Sequence, residues 1–147
     1  MRERGITLIE VLVVLGVLAV LMTLAFPAFN RWRLKASIEG DVRDMYAFIQ
    51  KARTVAFTGK RDIRIEISGR NVCMTPAGQA DPLECFPLRN PFTVNGSLVI
   101  SRRGYFSGTG TIRYAGTADV SPAYDCLVVS VNRVRMGVWD GTECRPK

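Results

Sequence analysis

The chain is 147 residues long, with 48% hydrophobic and 22% charged residues, a composition that excludes an intrinsically disordered protein. It contains no histidine, so it lacks the commonest general base and the commonest zinc ligand. Its formal net charge of +7 makes anionic molecules a class of partner to consider.

The first element in chain order is an apolar segment that follows a short polar leader. Residues 6–29 contain one charged residue, Glu10. A helix of this length would measure about 36 Å, enough to cross a bilayer core of about 30 Å. A secretory signal peptide fits less well, because the run is longer than the usual apolar region and Pro27 interrupts the small residues that follow it. Arg2 and Arg4 favour a cytoplasmic N-terminus, which would place the remainder of the chain outside.

Glu10 is the unusual residue of this segment. A carboxylate at the centre of a spanning helix costs about 3 kcal/mol on insertion scales. Glu10 is therefore either an interfacial acid that reaches the lipid headgroups or an acid that awaits a cation. The rest of the segment offers no cation, but cleavage before Ile6 would create an α-ammonium group. On a neighbouring copy, that group could neutralise Glu10 where the dielectric constant is low.

Residues 5–14, Gly-Ile-Thr-Leu-Ile-Glu-Val-Leu-Val-Val, resemble the class III signal of the type IV pilin and type II secretion pseudopilin superfamily. The resemblance implies cleavage between Gly5 and Ile6 by a prepilin peptidase, which would then N-methylate Ile6. It also implies that Glu10 pairs with a neighbour's N-terminus during assembly and that Pro27 kinks the helix. Alternatively, Pro27 is an ordinary residue of a membrane helix, where proline is tolerated. Ile6 departs from the usual Phe, which leaves methylation of the backbone amine unaffected.

An amphipathic pattern follows the apolar segment. Apolar residues recur at intervals of three or four and would form one face of a helix: Leu34, Ile38, Val42, Met45, Ile49, Ala52 and Ala56. Trp32, between two arginines, suits a membrane interface, and Gly59 is a natural helix stop. We therefore expect one helix from about Ile6 to Thr58.

The remainder of the chain has the pattern of short β-strands. Ile63, Ile65 and Ile67 alternate with polar residues, whereas residues 75–97 contain four prolines and are expected to form an irregular loop. The predicted fold class is α+β and pilin-like, with a long N-terminal helix packed on a C-terminal antiparallel β domain of two sheets. The expected organisation is a cleaved leader (1–5), a transmembrane assembly helix (6–29), an amphipathic helix (30–59) and a periplasmic β domain (60–147).

Four cysteines, Cys73, Cys85, Cys126 and Cys144, occur without a C-x-x-C pair, which disfavours a zinc site. In a domain outside the cytoplasm they are expected to be oxidised. Of the three possible pairings, Cys73–Cys85 with Cys126–Cys144 fits the chain best, because both bonds are local. Each would contribute about 3 kcal/mol in a chain-entropy estimate.

Residues 111–118 and 126–135 are similar to the GspH/FimT-like branch of the superfamily, whose minor pilins and pseudopilins prime or cap filaments. Some members of the pilus branch bind DNA for transformation through a Gly-Arg-x-Arg turn. Here Arg133 and Arg135 remain, while Asn132 replaces the glycine. These two arginines, with Arg102 and Arg103, are the candidate DNA-binding residues. Alternatively, the basic surface aids solubility or meets acidic partner subunits.

The sequence thus indicates a minor pilin or pseudopilin of the bacterial inner membrane, spanning it once with the β domain in the periplasm. Expected partners are other pilin or pseudopilin subunits, prepilin peptidase and, in one alternative, DNA; no cofactor or metal is expected. A membrane-anchored periplasmic enzyme is the remaining alternative, although no set of residues singles out a catalytic site. Such an enzyme would tolerate changes at Gly5 and Glu10, whereas a filament subunit would not. Roles in type II secretion and in a type IV pilus are both open.

Overall fold

The computed structural model describes residues 7–117 and 120–147, so Gly5 and Ile6 lie outside the described residues. The described chain contains one helix, α1 (Leu8–Gly59), followed by seven strands. The strands are β1 (Ile63–Pro76), β2 (Glu84–Gly96), β3 (Leu98–Ile100), β4 (Gly110–Tyr114), β5 (Cys126–Val129), β6 (Val134–Trp139) and β7 (Cys144–Pro146). Two compact units divide the chain, Met1–Leu34 and Lys35–Lys147.

The part of α1 within the second unit supplies one side of the hydrophobic core. The predicted apolar stripe is confirmed from its second residue onward, because Ile38, Val42, Met45, Ile49, Ala52 and Ala56 are all 0% exposed. Side chains spaced by three and four residues lie on one face of a helix, and burying that face offsets the entropy lost when the chain orders. The sequence therefore predicted both the helix and its core face.

The other side of the core is one face of an antiparallel sheet with the strand order β3-β1-β2-β4-β5-β6-β7. The described strands form one seven-stranded sheet, so the expectation of two packed sheets is wrong. The reason is the length of β2, which the sequence analysis did not foresee. Its first half pairs with β1, with Phe86 opposite Val72, and its second half pairs with β4, with Val94 opposite Ile112.

The expectation of an irregular loop over residues 75–97 is also wrong for its second half, which is strand β2. Prolines argue against a strand because they cannot donate to the ladder, but β2 accommodates them at a break in register. Gly69 lies opposite Phe92, whereas Asn71 lies opposite Pro87. The residues between Pro87 and Phe92, which include Pro91, therefore bulge away from β1, so Pro91 has no partner residue on that strand.

The bulge of β2 docks on α1 through one buried carboxylate. Asp41, which is 1% exposed, accepts hydrogen bonds at Oδ2 from the backbone N–H of Asn90 (2.8 Å) and from its Nδ2 (2.7 Å). Its Oδ1 accepts a third hydrogen bond, from the N–H of Arg89 (3.3 Å). Asn90 Nδ2 also donates to Ser37 Oγ at 2.9 Å. These contacts supply partners for the backbone groups that the bulge removes from the ladder.

Two disulfide bonds fasten the strands of the second unit. Cys73 on β1 is bonded to Cys85 on β2, with a Cα–Cα distance of 4.1 Å. Cys126 on β5 is bonded to Cys144 on β7, with a Cα–Cα distance of 6.0 Å. These are the two local pairings that the sequence analysis favoured, and the second ties the edge strand β7 to β5, two strands away.

Removal of the buried carboxylate tests its role in holding α1 to β2. Asp41→Ala should lower the free energy of unfolding by about 3 kcal/mol, because three charge-assisted hydrogen bonds are lost and buried donors are left unpaired. Asp44→Ala removes an exposed carboxylate from the same helix and should change stability by less than about 0.5 kcal/mol. Denaturant unfolding of the detergent-solubilised chain measures both; equal effects would contradict this role.

The turn between β6 and β7 gives a pH-dependent contribution to stability. Asp140 Oδ1 accepts hydrogen bonds from the N–H of Glu143 (2.8 Å), the N–H of Thr142 (2.9 Å) and the hydroxyl of Thr142 (2.9 Å). These bonds favour the ionised form and lower the pKa of Asp140 to about 2, the N–H of Glu143 contributing most.

Because the pKa is lower in the folded state, the stability from Asp140 is complete above about pH 4 and is lost as the pH falls toward 2. Asp140→Asn should therefore be less stable than wild type at neutral pH, and the difference should shrink between pH 4 and pH 2. Thermal unfolding over this pH range measures the effect. Parallel curves for the two proteins would show that the turn does not stabilise the ionised carboxylate.

Candidate functional site

The N-terminal end of α1 is organised around Thr7 and Glu10. The N–H of Glu10 donates to Thr7 Oγ1 at 3.4 Å and to the Thr7 carbonyl oxygen at 3.1 Å. Thr7 is thus the N-cap of the helix, and an acid in the first turn interacts favourably with the helix dipole. The sequence analysis missed this role, although the spacing Thr-x-x-Glu is the signature of a capping box.

Beyond its first turn, the N-terminal half of α1 presents apolar side chains to the outside. Leu8 is 80% exposed, Met22 67% and Phe26 66%, and none of the most apolar 18-residue window is buried. By length and composition this helix could cross a membrane. Within residues 7–117 and 120–147, none of the ion pairs involves Glu10. The helix therefore has a large apolar surface and an acid that its described surroundings do not neutralise.

Gly16 and Pro27 both lie within the continuous helix α1. A Cβ atom added at Gly16 would meet no heavy atom within 4 Å, so the described residues do not require a glycine there. Val13, Val17, Val20 and Leu21 surround it in a shallow groove. Small residues allow close approach of helices in membranes, so this groove is a candidate seat for another helix.

A second candidate site combines two of the loops that carry arginines. Arg102 and Arg103 lie in the turn after β3, and both are exposed. The N–H of Phe106, at the end of this segment, donates to the Val131 carbonyl oxygen at 2.8 Å. This bond places the loop of residues 101–106 beside the β5–β6 turn.

The two arginines of that turn occupy different places. Arg133 closes it, because the N–H of Ser130 donates to the Arg133 carbonyl oxygen at 2.8 Å. Arg135 lies in β6 opposite Val128 and follows the buried Val134, so it points from the face of the sheet opposite the core. The structure thus brings Arg133 to the loop of residues 101–106 but places Arg135 on the open face.

The end of α1 adds residues that the sequence analysis did not single out. Arg53 Nε donates to the Gly104 carbonyl oxygen at 2.9 Å, which fixes the loop of residues 101–106 against the helix. Phe57 is 54% exposed, and Lys60 Nζ lies 4.2 Å from the centroid of its ring. The sequence feature that could have indicated this cluster is the pair of basic residues directly after the helix stop at Gly59. We call the following set the basic patch: Phe57, Lys60, Arg102, Arg103, Tyr105 and Arg133.

One acid lies at the edge of the basic patch. Asp62 Oδ1 accepts a hydrogen bond from the backbone N–H of Arg102 at 2.8 Å, so it holds the loop and leaves the guanidinium groups exposed. Tyr105 is 39% exposed and stands beside them in the loop. The patch therefore combines cations with two accessible aromatic rings, the combination that binds phosphates and stacks bases.

Comparison with known proteins assigns the N-terminal motif and the fold. Residues 1–26 match the family described as the prokaryotic N-terminal methylation motif. A crystal structure of the type IV minor pilin FimU of Pseudomonas aeruginosa, in space group P21, is similar, with a TM-score of 0.53 and 18% sequence identity. The match covers 78% of this chain and 96% of FimU.

A second crystal structure of FimU, in space group P65, gives a TM-score of 0.49 at 18% identity, covering 73% of this chain and 96% of that one. The comparison with curated protein sequences found no match. At 18% identity the likeness to FimU shows the fold alone. The methylation motif over residues 1–26 is a separate observation about the N-terminus. The chain thus carries a prokaryotic N-terminal methylation motif and has a pilin-like fold.

Proposed function

We propose that the protein is a minor pilin or pseudopilin, a structural subunit that primes or caps a type IV pilus or a type II secretion pseudopilus and catalyses no reaction. The observation that carries this proposal is the exposed apolar helix with its single acid, Glu10. The similar fold of the minor pilin FimU and the GspH/FimT-like residues of strands β4 to β6 support the minor class.

Processing is proposed at the N-terminus. Prepilin peptidase cleaves between Gly5 and Ile6, which removes residues 1–5, and N-methylates Ile6. The methylation motif over residues 1–26 supports this step. The new N-terminal residue, Ile6, then precedes the N-cap Thr7 directly in sequence and precedes Glu10 by four residues.

Before assembly, residues 6–29 span the bacterial inner membrane and residues 60–147 lie in the periplasm, with the amphipathic residues 30–59 between them. Trp32 is 63% exposed and stacks on Phe29 with 6.0 Å between ring centroids, which suits a membrane interface. The two disulfide bonds support an oxidising compartment for the β domain.

Assembly moves the apolar helix from lipid into contact with the helices of other subunits. Because lipid tails are as apolar as the side chains, close packing and polar pairs decide the association. The groove at Gly16 permits the close packing, and Pro27 weakens the helix around it so that it can bend. Glu10 supplies the polar pair by meeting the α-ammonium group of a neighbouring subunit, which neutralises two charges that would each be costly alone.

Substitution of Glu10 tests this assembly step. Glu10→Ala leaves the neighbour's ammonium group unpaired, so incorporation into filaments should fall about tenfold or more, the factor that corresponds to ~1.4 kcal/mol. Glu10→Asp, which retains the charge, should recover part of the loss, and Glu66→Ala, which removes an exposed acid of β1, should behave as wild type. Immunoblots of sheared filaments against membranes give the ratio. Normal incorporation of Glu10→Ala would reject the proposal.

A second candidate function is DNA binding for uptake in natural transformation. The hydrogen bond between Phe106 and Val131 favours it, because it joins Arg102 and Arg103 to Arg133. The exposed rings of Tyr105 and Phe57 could stack bases while the arginines contact phosphates. The basic patch would then bind single-stranded DNA in preference to a duplex, whose bases are already stacked.

A gel-shift assay tests the DNA-binding candidate. The triple variant Arg102→Ala, Arg103→Ala and Arg133→Ala should weaken retardation at least about tenfold and flatten its dependence on salt. Arg135→Ala should have a smaller effect, because Arg135 lies on the open face of the sheet. Arg70→Ala, which removes an exposed arginine of β1, is the control for net charge. Absence of retardation at low salt, or an equal loss in the control, would reject DNA binding.

A further inference from the structure

A groove of about 780 Å³ lies across the open face of the sheet, opposite the core, and the functions proposed above leave it unused. Strands β2, β4, β5 and β6 form its floor and the β6–β7 turn forms its rim. Its volume is within the range of small-molecule sites. The side chains that carry its chemistry are Thr93, Asn95, Thr111, Arg113, Trp139 and Glu143.

The centre of the groove is an arginine held against an indole. The Arg113 guanidinium carbon lies 4.8 Å from the centroid of the Trp139 ring, and among the described residues no carboxylate lies within 4.0 Å of it. The N–H of Trp139 donates to Asp125 Oδ1 at 2.6 Å, which fixes the backbone that carries the indole. The cation–π contact with Trp139 therefore positions the guanidinium group, while its N–H groups remain available to a planar anion.

The walls on either side of Arg113 carry neutral hydrogen-bonding groups. Thr93 lies directly opposite it on β2, and Thr111 precedes it by two residues on the same face of β4. Glu143 is an acceptor at the rim, where its Oε1 lies 3.6 Å from Arg145 Nε. The Cys126–Cys144 disulfide and the hydrogen bonds of Asp140 hold the turn that carries it. The groove thus combines one cation, one rim anion and a set of hydroxyl and amide groups.

These features select among ligand classes. The backbone groups of the floor are engaged in the ladders between β2, β4, β5 and β6, so a peptide strand could not add by β-pairing and recognition must come from side chains. A polyphosphate chain carries several charges, whereas the lining offers one guanidinium group, Arg113, and otherwise neutral walls. A ligand with one carboxylate and several hydroxyls matches both the single guanidinium and the neutral walls.

We propose that this groove binds a carboxylated sugar, with Arg113 taking the carboxylate in a bidentate pair, and with Thr93, Thr111 and Glu143 bonding the hydroxyls. Trp139 is a positioning residue that holds the guanidinium flat. The sugar is either a free uronic acid or one unit of an acidic polysaccharide. For a polysaccharide, Arg135, on the same open face opposite Val128, is placed to meet a second carboxylate.

The test uses isothermal titration of the full detergent-solubilised chain with galacturonic acid, with a galacturonic acid trimer, and with galactose and a galactose trimer as neutral controls. The acidic sugars should bind, and their neutral counterparts should bind at least tenfold more weakly. Tighter binding of the acidic trimer, lost in Arg135→Ala, assigns the site to a polysaccharide. Equal binding of monomer and trimer assigns it to a free sugar acid.

Substitutions separate this site from a general charge effect. Arg113→Lys retains the charge but loses the bidentate geometry, so it should weaken binding at least tenfold, and Trp139→Phe should weaken it less. Arg70→Ala, outside the groove, should bind as wild type. No binding of either acidic sugar, equal binding of neutral sugars, an unchanged Arg113→Lys, or displacement by a single-stranded oligonucleotide would each overturn the proposal. None of these outcomes bears on filament assembly, which the Glu10 variants test separately.

Discussion

The exposed apolar surface of the N-terminal half of α1 is the main physical constraint on this protein. None of its most apolar window is buried by the described residues, so this surface is suited to burial by lipid or by other protein chains. A single carboxylate on that surface, Glu10, is costly in either surrounding unless a cation joins it. Both needs are met if the helix first spans a membrane and then packs among helices that carry free N-termini.

The second unit of the chain is a folded domain in which the C-terminal half of α1 packs on the sheet. Asp41 fixes the bulge of β2 to α1 through bonds to Arg89 and Asn90, and the bulge lets β2 pair with β1 at one end and with β4 at the other. The sheet is continuous for that reason. Its inner face completes the core. The groove lies on its open face, and the basic patch lies at the edge formed by the loops.

The sequence predicted the features that depend on local pattern. The spacing of apolar residues from Ile38 to Ala56 predicted the core face of α1, and the apolar run around Glu10 predicted the N-terminal half of the same helix. The sequence did not predict β2, because Pro87 argues against a strand unless the register breaks nearby. The bulge at that break is held by hydrogen bonds to Asp41, which is distant in sequence. Likewise, Arg133 and Arg135 are only two residues apart in sequence, yet strand register places them at different sites. The approach of Arg53 to Gly104 depends on tertiary packing.

The most direct test of the central claim is the mass of the N-terminal peptide of the native protein, recovered from assembled filaments and from membranes. If the protein is processed and assembled as proposed, the filament-derived peptide begins at Ile6 and carries one added methyl group on its α-amine. The uncleaved form is then confined to the membrane fraction. An N-terminus at Met1 in assembled material, or cleavage at a site far from Glu10, would contradict this proposal.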